Sequence, residues 1–375
     1  MPSRRTLLAA LAASGIAPRA LAQPRSLVIP IASDFGHLMI KAHIDGREIW
    51  AGLDNGAETT MVDKAYSRSD RDELGRVRIP LNVSSGPPAP LTFVELGQGV
   101  NILAVGVGDL AGPSITDEVP IGAVIGMELF ERYRVDIDFG ARTVTVNPPA
   151  AALPPATRSV PLAPSSHKKH LVEIAVEGGA PFKAVLDLGC SRPILMHTTL
   201  AQRLVLTAGR LPSTNLAHGV NGNDRIDFTS RTGSLKSLAF AGRTFTDVPV
   251  EVGDLSYTGI EAEALLGVTL LRRFDLAFNL AAGQFWVRDT PRLADPFGRR
   301  LIGLQVEPVG ATLRVSHVAL ASPALASGFK TGDVLTAIDG APPKPAMLRE
   351  VQPGQVLRIT LAGGTVRSVT AARFD

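Results

Sequence analysis

Two aspartates sit in matching surroundings, 133 positions apart in the chain. Asp54 closes the apolar run Ala51-Gly52-Leu53 and is followed by Asn55-Gly56-Ala57-Glu58-Thr59-Thr60-Met61-Val62. Asp187 closes Ala184-Val185-Leu186 and is followed by Leu188-Gly189-Cys190-Ser191-Arg192-Pro193-Ile194-Leu195. Met once, Asp-x-Gly after a strand is ordinary turn chemistry. Met twice, it is a chemical proposition. Two carboxylates brought within hydrogen-bonding distance cannot both ionise, so they share a proton and titrate as a pair. One can then act as general base on a water and the other as general acid toward a carbonyl. Such chemistry needs no covalent intermediate and no cofactor. No metal-ligand spacing occurs in the chain, so no metal is expected.

The elements that must deliver these carboxylates are themselves duplicated. Residues 37–56 and 170–189 align without a gap: each begins His-Leu, runs through an extended segment, turns, and climbs a second apolar segment into Leu-Asp-x-Gly. Asp45-Gly46 and Gly178-Gly179 are expected as the hairpin turns. The match resumes at Ile125-Gly126-Met127-Glu128-Leu129-Phe130 and Leu266-Gly267-Val268-Thr269-Leu270-Leu271, each followed by an extended segment, a turn and a closing strand. Two copies of one mostly-β unit are therefore expected. The paired His37 and His170, and the paired Tyr133 and Phe274, read as structural by their symmetry.

At this point the sequence resembles the retropepsin-like aspartic proteases, in which Asp-Thr-Gly loops from two halves meet. The resemblance rests on the two Asp-x-Gly loops and the two later apolar-Gly segments, and it spans about Leu27 to Arg288. It implies a single-chain, two-lobed aspartic endopeptidase that hydrolyses peptide bonds with a water held between Asp54 and Asp187. Asn55, Gly56, Ala57, Leu188, Gly189 and Cys190 would support the loops. Cys190, the only cysteine, reads as a small packing residue rather than a nucleophile, because no partnered His is indicated by spacing. In the family a Thr follows each Asp, and its hydroxyl braces the opposite loop. Here Asn55 can donate and accept, but Leu188 can do neither. The same residues therefore leave open a catalytically inactive, peptide-binding relative. A peptide substrate also needs a cover. The candidates are Ser84-Ser85-Gly86-Pro87-Pro88 and His218-Gly219-Val220-Asn221-Gly222-Asn223, with Gly86, Gly219 and Gly222 at the tips.

Beyond the lobes, Ser322-Pro323-Ala324 with Lys330-Thr331-Gly332-Asp333-Val334 and Ile338-Asp339-Gly340 resembles a bacterial PDZ domain of the kind attached to periplasmic proteases. That resemblance implies β-augmentation by a peptide C-terminus, with Ile302, Gly303 and Leu304 as the carboxylate loop. The expected fold is mostly β: two homologous acid-protease-like β lobes followed by a small PDZ-like β-rich domain. Boundaries are expected at 1–22 for a signal peptide, 23–147 for the first lobe, 148–158 for a Pro-rich linker, 159–289 for the second lobe and 299–375 for the PDZ-like domain.

Composition agrees with an exported globular chain. The opening residues combine Arg4-Arg5, a short apolar run and Ala20-Leu21-Ala22, which look like a twin-arginine export signal and its cleavage site. This places the chain in the periplasm or outside the cell. The run is too short to span a bilayer, so no transmembrane segment is expected in the mature chain. The 38 Lys and Arg exceed the 35 Asp and Glu by three, and Arg4, Arg5 and Arg19 all fall in this leader. The mature chain is thus neutral, which removes the electrostatic case for nucleic acid. A monomer acting on a peptide or protein substrate is expected.

Overall fold

The two Asp-bearing runs are short, almost wholly apolar and rich in small or branched residues, as suits strands covered on both faces. In a computed structural model of the protein they are strands Arg47–Leu53 and Phe182–Asp187, with Ala51, Leu53, Ala184, Val185 and Leu186 all buried. The structure describes residues 26–33, 36–66, 92–104, 106–108, 110, 120–165, 169–221, 224–256 and 263–375. The leader, the segment 84–88 with Gly86, and Gly222 and Asn223 lie outside the described residues. Among the described residues no helix is long and apolar enough to cross a membrane.

Each lobe repeats one arrangement around its Asp strand. In the first, Met39–Ile44 pairs antiparallel with Arg47–Leu53, which lies parallel to Ile121–Ile125, which in turn lies antiparallel to Met61–Asp63. In the second, His170–Val176 pairs antiparallel with Phe182–Asp187, which lies parallel to Ala264–Gly267, which lies antiparallel to Ile194–His197. A one-turn helix follows each central strand, Met127–Phe130 and Val268–Leu271. The first hairpin turns at Asp45-Gly46, both left-handed with φ of 55° and 72°. In the second the left-handed pair is Glu177-Gly178, one residue earlier than the alignment placed it. The Glu177 carboxylate is held there by Arg210 and the Lys236 amide, which fixes that turn from outside the hairpin.

One sheet joins the lobes. Arg134–Asp138 of the first pairs antiparallel with Phe274–Asn279 of the second, with Leu276 opposite Ile137 and Phe278 opposite Val135. Phe278 meets Phe130 edge-on at 5.6 Å between ring centroids and stacks on Phe285 at 4.9 Å. Asp275 gathers Arg288 and Arg292, and Arg288 reaches across to Asp138. A single buried cluster runs through both lobes, so they form one body with respect to the two Asp strands. Phe274 is wholly buried in that cluster and Tyr133 packs on it.

The last sheet has five strands, in the order Leu304–Val309, Thr312–Val318, Val334–Ile338, Val356–Leu361, Val366–Thr370. Its own apolar cluster includes Ile302, Phe329, Leu335, Ile359 and Val369. Pro323–Ala326 is a short helix capped by the Ser322 hydroxyl, which accepts from the Leu325 amide.

Candidate active site

The two Asp-x-Gly loops meet. A methyl group built on Gly56 would collide with the Asp187 carboxylate and lie 2.9 Å from Asp54 Oδ1. One built on Gly189 would collide with the Asp54 carboxylate. Each glycine thus lies against the opposite lobe's Asp, and both carboxylates border one methyl-sized volume. Only glycine permits that approach.

Each loop holds its own Asp in the same way. Asp54 Oδ1 accepts from the amides of Gly56 at 2.7 Å and Ala57 at 3.1 Å. Asp187 Oδ1 accepts from Gly189 at 2.8 Å and Cys190 at 3.1 Å. The later glycine segments lock the loops from behind. The Met127 amide donates to Ala57 O, and the Val268 amide donates to Cys190 O. Gly126 packs so closely on Ala57 and Thr59, and Gly267 on Cys190 and Arg192, that a side chain at either position would strike backbone. In the first lobe Thr60 adds a further tie, since its hydroxyl donates to Glu128 and accepts from the Gly126 amide.

The brace between loops differs from the sequence expectation. Asn55, 1% exposed, donates from Nδ2 to Leu186 O at 2.8 Å and accepts at Oδ1 from the Leu188 amide at 2.8 Å. One side-chain amide makes both bonds across the lobe interface. Leu188 makes no polar contribution from its side chain and is buried in the shared core. The brace that the Leu188 side chain cannot supply thus comes from Asn55 on the opposite loop.

Lys169 was not singled out in the sequence. It is 6% exposed and its ammonium donates to Gly56 O, in the loop that carries Asp54. It precedes the repeat by one residue, and the aligned position in the first copy is Gly36. An unmatched charge beside a duplicated motif is the signal that could have found it.

Burial raises the Asp187 carboxyl most, and the charge of Asp54 raises it further, to about 7. The Lys169 ammonium and the Gly189 and Cys190 amides oppose that rise. Burial, and then the charge of Asp187, push the Cys190 thiol well above its ordinary range, so it stays protonated and is no nucleophile. Together the loops can hold one proton between two carboxylates with an amide-fixed geometry. Among the described residues no three His, Cys, Asp or Glu side chains converge as a metal site.

The remaining sequence candidates fall elsewhere. Gly219 lies on Ser213–Asn221, which pairs antiparallel with Asp224–Phe240, with Gly219 opposite Ile226. Phe228 of that hairpin packs on the small cluster containing Cys190 and Val185, beside the second loop. Ile302 is buried, and Gly303, with φ of 82°, lies against Ser322 and Phe374; Leu304 begins the edge strand of the last sheet. His170 faces the Leu280 carbonyl, and burial lowers its proton affinity.

Residues 172–270 match the family model described as aspartyl protease. That span holds Asp187, Gly189 and Gly267. No curated protein sequence matches the chain. Among solved structures the chain is similar to a retropepsin-like aspartic protease from Rickettsia conorii, with 21% identity over 35% of this chain and 90% of that one and a TM-score of 0.27. It is also similar to the aspartic proteinase from Irpex lacteus, with 12% identity over 73% and 100% and a TM-score of 0.43. Basic 7S globulin from soybean is a third, with 10% identity over 71% and 94% and a TM-score of 0.39. The family match falls within the second lobe, and the first lobe repeats that lobe's strand arrangement, so both lobes are acid-protease-like.

Proposed function

We propose that the chain is an aspartic endopeptidase whose dyad is Asp54 and Asp187. The observation that carries this reading is the convergence of two equivalent loops whose glycines each lie against the opposite carboxylate. With the shared proton on Asp187, Asp54 takes a proton from a water lying between them. The water oxygen forms a bond to the scissile carbonyl carbon while Asp187 gives its proton to the carbonyl oxygen. Collapse of the tetrahedral diol re-forms the carbonyl and breaks the C–N bond: one hydroxyl returns its proton to Asp187, and the leaving nitrogen takes the proton held by Asp54. The Gly56, Ala57, Gly189 and Cys190 amides hold the carboxylates and Asn55 ties the two loops to each other, and catalysis is sensitive to small displacement of such groups.

In this reading the chain is exported and monomeric, and residues 299–375 form a PDZ-like module in which Ile302, Gly303 and Leu304 receive a chain end. The double hydrogen bond of Asn55 supports turnover over the inactive alternative, because it supplies the interloop brace that Leu188 does not.

The test is cleavage of an unstructured protein substrate across acid to neutral pH. Wild type is expected to cleave, and Asp54→Asn and Asp187→Asn to lose kcat/KM by on the order of 10³-fold or more. An inert wild type, or variants that cleave as well as it does, would remove the reading.

A further inference from the structure

One cation beside the two loops has no counterpart at the aligned position of the first copy. Lys169 sits on the connection between strands Ala163–Pro164 and His170–Val176 of the second lobe, where its carbonyl accepts from the Ser165 amide. Its side chain crosses to the first lobe, where the ammonium donates to Gly56 O. Gly56 also donates its amide to Asp54 Oδ1 and lies against the Asp187 carboxylate. The ammonium is therefore bonded to the residue that borders both acids. A lysine so deeply covered needs a partner that offsets its lost hydration, and its charge acts on the Asp187 carboxylate.

The other charged groups near the site are engaged elsewhere. Arg192 pairs with Glu251 at 2.6 Å, Glu128 is held by Thr60, and His170 faces Leu280 and Glu131. Cys190 is neutral, and Glu58 is exposed. Among the described residues Lys169 is thus the cation that acts on the pair. This inference rests on the dyad proposed above.

We propose that Lys169 is a positioning residue that ties the Asp54 loop through Gly56 and, by its charge, weakens the hold of the Asp54–Asp187 pair on its shared proton. The sign follows from electrostatics. A positive charge favours the ionised carboxylates, so it moves both ionisations of the pair to lower pH. Without it, both limbs of a bell-shaped kcat/KM profile move to higher pH. The expected size for a cation at such range is about one to three pH units.

Three substitutions separate charge from hydrogen bond. Lys169→Arg keeps charge and donor, Lys169→Gln keeps a donor alone, and Lys169→Met keeps neither. The carboxyl titration of the pair is followed by ¹³C NMR on aspartate-labelled protein, beside the kcat/KM profile. Gln and Met are expected to shift the titration upward together by about one pH unit or more, and Arg to leave it within about half a unit of wild type. A Gln variant that titrates like wild type, or an Arg variant that shifts as far as Gln, would overturn the proposal. The Arg and Gln pair decides the matter even where Met fails to fold. The NMR titration stands without turnover, so a protein that cleaves nothing but shows the shift loses the protease reading and keeps the charge effect.

Discussion

At the scale of single residues the chain departs from a symmetric design, and its bonds show how. A hydroxyl on each loop would give two equivalent braces. Here Asn55 supplies a donor and an acceptor from one side, and Leu188 gives its side chain to the core. Because Asn55 is buried, removing its amide strands the Leu186 carbonyl and the Leu188 N–H without water. Unpaired buried groups of that kind cost about 1–3 kcal/mol each. Asn55→Ala is therefore expected to destabilise the protein by roughly 2–4 kcal/mol and to lower kcat by on the order of 10²-fold through loss of loop alignment. Asn55→Thr, whose hydroxyl can also donate and accept, should recover much of both. Urea unfolding and steady-state kinetics on the three proteins check this. Equal stability of Asn55→Ala and wild type would mean that the brace is redundant.

At the scale of elements, the legible part was what two copies share. The hairpins into Asp54 and Asp187 and the apolar-Gly segments were readable because backbone ladders demand the same pattern wherever they recur. The turn falls at Glu177-Gly178 because the second hairpin pairs Ile174 with Phe182, one register step from the pairing of the first. Lys169 was invisible for the complementary reason: it acts through a fold-level contact and has no counterpart in the first copy. The later glycines recur as a pattern in the sequence, and the reason for them is packing. Gly267 has an ordinary extended backbone at φ −102°, so conformational freedom does not explain it. What excludes a side chain is contact with the carbonyls of Cys190 and Arg192. Gly267→Ala is accordingly expected to destabilise by about 1–3 kcal/mol and to displace the Asp187 loop, with activity falling more than stability alone accounts for. Gly298→Ala, where nothing lies within 4 Å, serves as the control and should stay within about 0.5 kcal/mol of wild type. Thermal unfolding of both variants distinguishes packing from a general intolerance of alanine.

At the scale of the whole molecule, the last sheet does more than follow the lobes; it covers an open edge of the second one. Ser213–Asn221 is the outermost strand of its eight-stranded sheet, and an unpaired edge invites fraying or association. Gln305 covers it with one side chain, accepting from the Leu216 amide at 2.7 Å and donating to the Leu216 carbonyl at 2.9 Å. Ser213 donates to Leu320 O, Thr214 meets His317 at 3.0 Å, and Arg300 reaches Asn215. Arg373 adds a paired contact to Asp247 at 2.6 and 2.8 Å, but that pair is exposed and contributes little. The Gln305 bonds are part-buried and replace a missing strand partner, so they should count for more. Ser213–Asn221 is one arm of the hairpin that packs Phe228 beside the Asp187 loop. Gln305→Ala is thus expected to speed amide exchange at Leu216 and its neighbours by on the order of 10-fold, matching about 1–1.5 kcal/mol of lost local stability. Exchange in the distant Asp54 loop should stay unchanged. If the hairpin also covers substrate, the same variant should raise KM with kcat nearly kept, because a looser cover weakens binding without moving the carboxylates. Hydrogen exchange that is unaltered at Leu216 would show instead that the last sheet merely rests against the lobe.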